Sequence, residues 1–453
     1  MLSTPDTTLH ESDRLMFAKI ASRLLPFLFI LYLISYLDRT NLSFASIPMT
    51  ADLKSAGFND WVFGFGSGIF FLGYALFEIP SNLILERVGA RVWMCRIMLT
   101  WGVISACMMF VRGPNSFYGL RFLLGLAEAG FFPGMILYLT YWFPAARRAR
   151  AVAMFMTATA LSGVFGGPLS GLILRYLSGK AHLPGWQWLF LAEGIPAIAL
   201  GFVVLWILPN GPKDAHWLSP AERARLNELL IADRPAAGSG HSHSLSRAIL
   251  DLRVWLLTFV YFCISVGLYC VTFWLPKIIN QAWPGHAAWQ VSFMSAIPYG
   301  AAAIAMVCVG LHSDHTGERR WHAVLSLLAG AGGAVAAAFF AHTPLMSLIA
   351  LSVTAMGIWS AFGPFWSMPS AFLGGTAAAG GIALINSLGC LGGWVGPAMV
   401  GWLKSANGNF SAGLWMIATV LAAGAVGAYF VRLGKPARLT PVLRYSEEPG
   451  RPR

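Results

Sequence analysis

Residues 34–45 read "ISYLDRTNLSFA". An apolar run from Leu24 to Leu37 leads in, and then Asp38 and Arg39 stand side by side. An acid and a base inside such a run need a reason, and the composition around them sets the terms. The chain has 453 residues, 57% of them hydrophobic and only 11% charged, where a soluble protein carries about 25% charged residues. The apolar residues fall into twelve blocks, approximately 22–46, 61–85, 92–111, 117–141, 150–177, 187–208, 253–281, 289–311, 321–342, 345–367, 377–402 and 411–432. Each is long enough to cross about 30 Å of hydrocarbon as a helix. The strands of a β-barrel would read as short alternating segments, which these are not. The expected fold is an all-α membrane protein of twelve transmembrane helices.

The net charge of +12 invites a nucleic-acid reading, but orientation explains it better. Arg39 and Arg121 lie deep within blocks; with the N-terminus inside and residues near block ends counted with the adjoining side, 23 of the other Lys and Arg fall on the inner side and six (Lys54, Arg112, Arg175, Lys180, Lys277 and Lys404) on the outer side. This positive-inside bias places both termini in the cytoplasm, with the cell inner membrane as the expected location and no nucleic acid as partner. The six cysteines lie in or beside apolar blocks without CxxC spacing and read as small packing residues. No small-residue cleavage site follows Arg14, Lys19 and Arg23, so the first block reads as retained rather than removed.

One long polar interruption, residues 209–252, divides the blocks six and six. Within it Ser219, Pro220 and Glu222 form a capping-box start for a short surface helix. The following "AAGSGHSHS" has linker composition, and His241 and His243 on it read as solvated rather than metal-binding. The expected organisation is a cytoplasmic tail (1–21), a six-helix bundle (22–208), a cytoplasmic linker (209–252), a second six-helix bundle (253–432) and a cytoplasmic tail (433–453).

The two halves repeat each other. "NLILERVGAR" follows the second block and "GLHSDHTGERR" the eighth; each sets an acid, then Gly, then Arg at the membrane edge, with Glu86 and Asp314 228 residues apart. Gly163, Gly167-Pro168 and Gly171 match Gly392, Gly396-Pro397 and Gly401, with the prolines 229 residues apart. Two unrelated motifs sharing one offset indicate a six-helix unit used twice, two pseudo-symmetric bundles with a central site between them. The acidic-Arg loops resemble the signature loop of the major facilitator superfamily, although the first copy has Asn82 where Gly is usual and Glu86 for the usual Asp. The resemblance implies cytoplasmic ion pairs holding an outward-open state, formed here by Glu86, Arg87, Arg91, Asp314, Arg319 and Arg320. Ordinary positive-inside charge is the rival explanation.

The fourth block, "RFLLGLAEAGFFPG", adds Arg121 and Glu128. A charged residue at mid-span costs about 2.5–3.5 kcal/mol, so four unpaired ones would cost roughly 10–14 kcal/mol. Such groups persist where they pair or face water. The repeat counterparts of Arg121 and Glu128 are Ile349 and Met356, and those of Asp38 and Arg39 are Val266 and Gly267. All four charges thus sit in one half, which argues for function over scaffold. Arg121 and Glu128, two helical turns apart, share a face, with Gly125 and Gly130 allowing close helix approach. Asp38 and Arg39 are about 100° apart and cannot face the same neighbour. Asp38 is expected to turn toward Arg121 and Arg39 to enter the central cavity. Arginine's planar fork matches a carboxylate, which makes an organic anion the expected cargo. Glu128, in apolar surroundings, suits a proton carrier.

"YLDRTNLSFA", "FEIPSNLILERVGAR", "RFLLGLAEAGFFPGMILYLTYWFP" and "DAHWLSP" together resemble the anion:cation symporter family within that superfamily, over nearly the whole chain. The resemblance implies proton coupling through Asp38 and Glu128, supported by Arg121. It implies a substrate site lined by Arg39, Tyr36, Tyr74 and Asn386, with Trp366 at an aromatic position and Thr159 where hexonate carriers have an amide. That departure argues against a sugar acid, and "AEAGFFPG" and "GLYCVTFWLPKIIN" look more like the tartrate, phthalate and hydroxyphenylacetate branch. Tyr36 and Tyr74 as interfacial anchors and Trp366 as packing stay open as alternatives. The expected activity is proton-coupled symport of a small carboxylate by a monomer in the bilayer. No GxxxxGK[ST] loop, nucleophile-base pair or metal-ligand spacing occurs, so neither a cofactor nor an enzyme activity is expected. The alternative reading is a proton/drug antiporter, favoured by the Gly-Pro pattern of the fifth block and opposed by a buried arginine, which repels cationic drugs.

Overall fold

The computed structural model describes residues 11–144, 147–148, 151–152, 156–233, 251–369 and 375–431. His241, His243 and the 433–453 tail lie outside the described residues. The helices, in chain order, are α1 (Glu11–Asp52), α2 (Asp60–Val88), α3 (Ala90–Cys107), α4 (Pro114–Glu128), α5 (Phe131–Thr140), α6 (Ala158–Tyr176), α7 (Gly185–Ile207), α8 (Pro220–Ala232), α9 (Leu252–Ala282), α10 (Ala288–Thr316), α11 (Arg320–Phe339), α12 (Pro344–Ser367), α13 (Gly375–Gly389), α14 (Gly392–Asn407) and α15 (Ser411–Phe430). Eleven helices among the described residues are long and apolar enough to span a bilayer, with α4 and α5 forming one span and α13 and α14 contributing to another. The expected fifth span appears as α6, whose preceding residues are only partly described.

Helix ends follow local chemistry. Asn59 caps α2 by accepting from the Val62 N–H at 2.9 Å, satisfying a donor that the first turn leaves free. Gly89, at φ 97°, separates α2 from α3. Gly130, at φ 83°, breaks the fourth span at the point where Glu128 ends α4. In the linker, Ser219 accepts from the Glu222 N–H at 3.2 Å while the Glu222 carboxylate accepts from the Ser219 N–H at 2.7 Å, a complete capping box. Helix α8 is tied to α1 by Lys19–Glu222 at 2.9 Å and Arg225–Asp13 at 3.0 Å. Helix α1 therefore starts within the stretch expected to be a tail, because it continues past the apolar block to meet the linker helix.

The two halves meet along α2 with α14 and α6 with α10. These seams close at the end of the molecule away from the linker. A Cβ on Gly64 would stand 2.4 Å from the Pro397 carbonyl oxygen, and one on Gly167 would stand 2.5 Å from that of Ser292. Only glycine permits backbones this close. At the same end the Lys277 Nζ, from α9, reaches Asp60 Oδ1 at 2.6 Å and Thr50 Oγ1 at 2.9 Å across the halves. Charge counting placed Lys277 in an outer loop, but α9 extends to Ala282 and buries it. At the linker end the expected gate is not engaged. Arg319 pairs with Asp314 at 2.5 Å inside its own loop, and Arg320 lies over the rings of Trp321 and Tyr429. Glu86, Arg87 and Arg91 are exposed, and no ion pair joins the two loops among the described residues. With the far end sealed, ion pairs at this end are not needed to hold the halves together.

Candidate functional site

Between the halves lies a cavity of about 40 Å³, room for roughly three waters. Tyr36, Arg39, Tyr74, Trp366 and Asn386 line it, with Tyr32, Tyr261, Tyr269 and Cys390 among the other lining residues. The wall is therefore aromatic, with one strong cation. Thr159 is not on that wall; its hydroxyl turns back to the Met156 carbonyl at 2.9 Å.

Arg39 does what its neighbour Asp38 does not. Its Nη2 stands 2.6 Å from Glu128 Oε1 and its Nε 2.8 Å from the same oxygen. Nη1 reaches the Tyr269 hydroxyl of the opposite half at 3.5 Å. The guanidinium lies 5.2–5.4 Å from the ring centres of Tyr36, Phe70 and Tyr74, close enough for cation–π attraction. Glu128 is fully buried; its Oε1 also accepts from the Ser35 hydroxyl at 2.8 Å, while Oε2 has no partner among the described residues.

The expected Asp38–Arg121 contact is absent. Asp38, 2% exposed, accepts from Trp101 Nε1 at 2.7 Å, from the Ser105 hydroxyl and from Asn41 Nδ2 at 3.3 Å. Two of those donors sit on α3, so the carboxylate is satisfied by neutral groups. Arg121 donates from Nη2 to the Ser67 carbonyl at 3.1 Å and lies 4.8 Å from the Phe70 ring centre, with Nε unpartnered. The four charges make one ion pair, not two. The 100° separation was sound geometry; which helix met each face depended on packing between helices far apart in sequence.

Two buried acids escaped the sequence reading. Glu78, 4% exposed, accepts from Asn386 Nδ2 at 2.7 Å and Ser387 Oγ at 3.1 Å, both in the other half. Glu193, 5% exposed, accepts from Ser170 Oγ at 3.1 Å, and its Oε2 has no partner among the described residues. Each was legible as an acid inside an apolar block, "FEIP" and "AEGIP". Glu78 lies inside the 61–85 block, but its partners stand 308 and 309 residues away in the chain, so nothing local to it showed what it meets.

Two helical bundles that close on a small aromatic cavity, with a buried ion pair on its wall, define a multi-pass membrane transporter. The model of the Major Facilitator Superfamily matches residues 28–397, and the chain belongs to that superfamily, a family of transporters rather than enzymes. It is 51% identical over 418 residues to a candidate tartrate transporter of Agrobacterium vitis, covering 92% of this chain and 91% of that protein. It is 41% identical over 413 residues to a quinolone resistance transporter of Acinetobacter baumannii, covering 91% and 94%. Among solved structures it resembles a bacterial homolog of the human lysosomal transporter Spinster in an inward-facing, unoccupied conformation. That likeness has a TM-score of 0.71 at 17% identity and covers 90% of this chain and 96% of that one, and it bears on the fold alone.

Proposed function

We propose that the protein is a proton-coupled symporter taking up a small organic anion, a carboxylate of the tartrate or phthalate kind. It acts as a monomer in the cell inner membrane with both termini in the cytoplasm. The observation that carries this reading is the Glu128 carboxylate, which gives Oε1 to Arg39 at the cavity wall and keeps Oε2 buried without a partner. A proton on Oε2 cancels the charge that Arg39 relies on. The guanidinium is then a buried cation without a counter-ion, which costs several kcal/mol, and an arriving carboxylate removes that cost. Proton and anion therefore promote each other's binding, and by linkage the effect is reciprocal. The empty pair and the fully loaded site are both charge-balanced and can cross; a half-loaded site cannot. Asp38, held by α3, is the second candidate proton site, and Arg121 the cation supporting both. The loops bearing Glu86, Arg87, Arg91, Asp314, Arg319 and Arg320 join when the opposite end opens. The name carried by the Agrobacterium vitis relative supports the anion.

Glu128→Gln in proteoliposomes tests this. Tartrate accumulation driven by an imposed pH gradient falls to background, while tartrate–tartrate exchange persists. Undiminished accumulation would mean that Glu128 does not carry the proton. A second reading, drug efflux by antiport, draws on the Acinetobacter baumannii relative. It requires that expression in a host lacking its own efflux pumps raises tolerance to quinolones.

A further inference from the structure

We propose that Glu78 positions Asn386 as a hydrogen-bond acceptor in the cavity, so that the carrier selects hydroxylated carboxylates over plain ones. This rests on the organic-anion reading and narrows it. Glu78 is not on the cavity wall; it stands behind Asn386, one turn beyond Tyr74 on α2. An ionised carboxylate accepts and does not donate, so the group that meets Glu78 Oε1 at 2.7 Å is the amide nitrogen of Asn386. Ser387 Oγ, at 3.1 Å from Oε2, holds the other oxygen and keeps the carboxylate from rotating away. The orientation of the Asn386 amide is thereby set. Its carbonyl oxygen accepts no hydrogen bond from a described residue and is not among the buried orphans, and Asn386 lines the cavity. That oxygen faces the cargo.

The consequence is a site with two distinct demands. Arg39 offers only donors and calls for a carboxylate; Asn386 offers an acceptor and calls for an O–H or N–H. An acid without a donor leaves that carbonyl unpaired, and sites built to bond a hydroxyl reject analogues lacking it far more strongly than apolar pockets reject a methylene. Had the amide been free to turn, its NH₂ could have served a carboxylate instead and the demand would vanish. Glu78 removes that freedom.

The test compares tartrate with succinate, equal in length and lacking the hydroxyls, in gradient-driven uptake by proteoliposomes. The wild-type protein prefers tartrate by about 100-fold in kcat/KM. Glu78→Leu lowers that ratio about 10-fold or more, through a raised KM for tartrate and little change for succinate. Glu78→Gln, whose amide oxygen can still accept from Asn386, keeps the ratio within about threefold and shows that the protein tolerates the position being altered. Equal uptake of both acids by the wild type, or an unchanged ratio in Glu78→Leu, overturns this inference and leaves the organic-anion reading standing. Uptake of neither acid, and of phthalate no better, by the wild type overturns both.

Discussion

The N-terminal half buries Asp38, Arg39, Glu78, Arg121, Glu128 and Glu193 inside its spans. In the C-terminal half the buried charge among the described residues is Lys277, near one end of α9. The packing devices, by contrast, occur in both. Gly125 brings α4 against α2, and Gly357 brings α12 against the backbone of Gly330 in α11. The two halves share what lets helices approach and differ in their chemistry. The charged half supplies the ion pair, and the other half supplies Tyr261, Tyr269, Trp366 and Asn386 as the opposing wall. A cavity between such unlike halves can bind an anion against one side while the other slides past it with few charges to desolvate.

The strongest way to break this division is at its one ion pair. Arg39 uses two nitrogens on a single Glu128 oxygen and stacks among three rings. Lysine keeps the charge but loses the fork and the planar stacking. Arg39→Lys is expected to lower kcat/KM for tartrate uptake by about 100-fold, close to 2.7 kcal/mol of transition-state stabilisation. Retention of uptake within about threefold would show that charge alone suffices, and that the geometry at the wall is incidental.

The repeat itself gives a sharper contrast. Gly125 and Val353 are counterparts, yet a Cβ on Gly125 would stand 2.0 Å from the Phe70 carbonyl oxygen. That atom is backbone and cannot swing aside. Gly125→Ala must separate α4 from α2, at a cost of about 1–3 kcal/mol, read as a drop of several degrees in Tm for the detergent-purified protein. Val353 is 37% exposed, and Val353→Ala is expected to cost less than about 1 kcal/mol. Equal losses at the two positions would mean that the halves pack alike here after all.

What the sequence made legible follows from what is one-dimensional about a membrane protein. Block length, the polar break at 209–252 and the two motifs repeated at one offset sufficed for the fold, because a span is defined by its own residues. The presence of Asp38, Arg39, Arg121 and Glu128 in apolar blocks was equally plain. Their partners were not. Glu128 lies 89 residues from Arg39, and Trp101 lies 63 from Asp38, so the pairing depends on which helix faces mate. Lys277 was misplaced for a related reason: it stands near the end of its apolar block and was counted with the outer loop, whereas its partners Thr50 and Asp60 lie in the other half, more than 200 residues away in sequence. The charges expected at the linker end were equally plain in sequence, but Arg319 pairs with Asp314 inside its own loop and no ion pair joins the two loops among the described residues.

Lys277 offers the gentlest test of how the halves are held. Its Nζ bridges to Asp60 and Thr50 and lies 4.7 Å from the Phe63 ring centre, all in the N-terminal half. A charge-assisted hydrogen bond contributes about 1.5–3 kcal/mol, but burying the ammonium offsets part of this. Asp60 is half-buried and recovers water when the lysine is removed. Lys277→Met is therefore expected to weaken the seal by about 1 kcal/mol, a shift of about fivefold in the population opened at that end. Cys390, which lines the cavity, reports it in a protein whose other five cysteines are replaced. A membrane-impermeant thiol reagent added from the side away from the linker should label Cys390 about fivefold faster in Lys277→Met than with Lys277 intact. An unchanged rate would assign the seal to the glycine seams alone, and Lys277 would then have no part in gating.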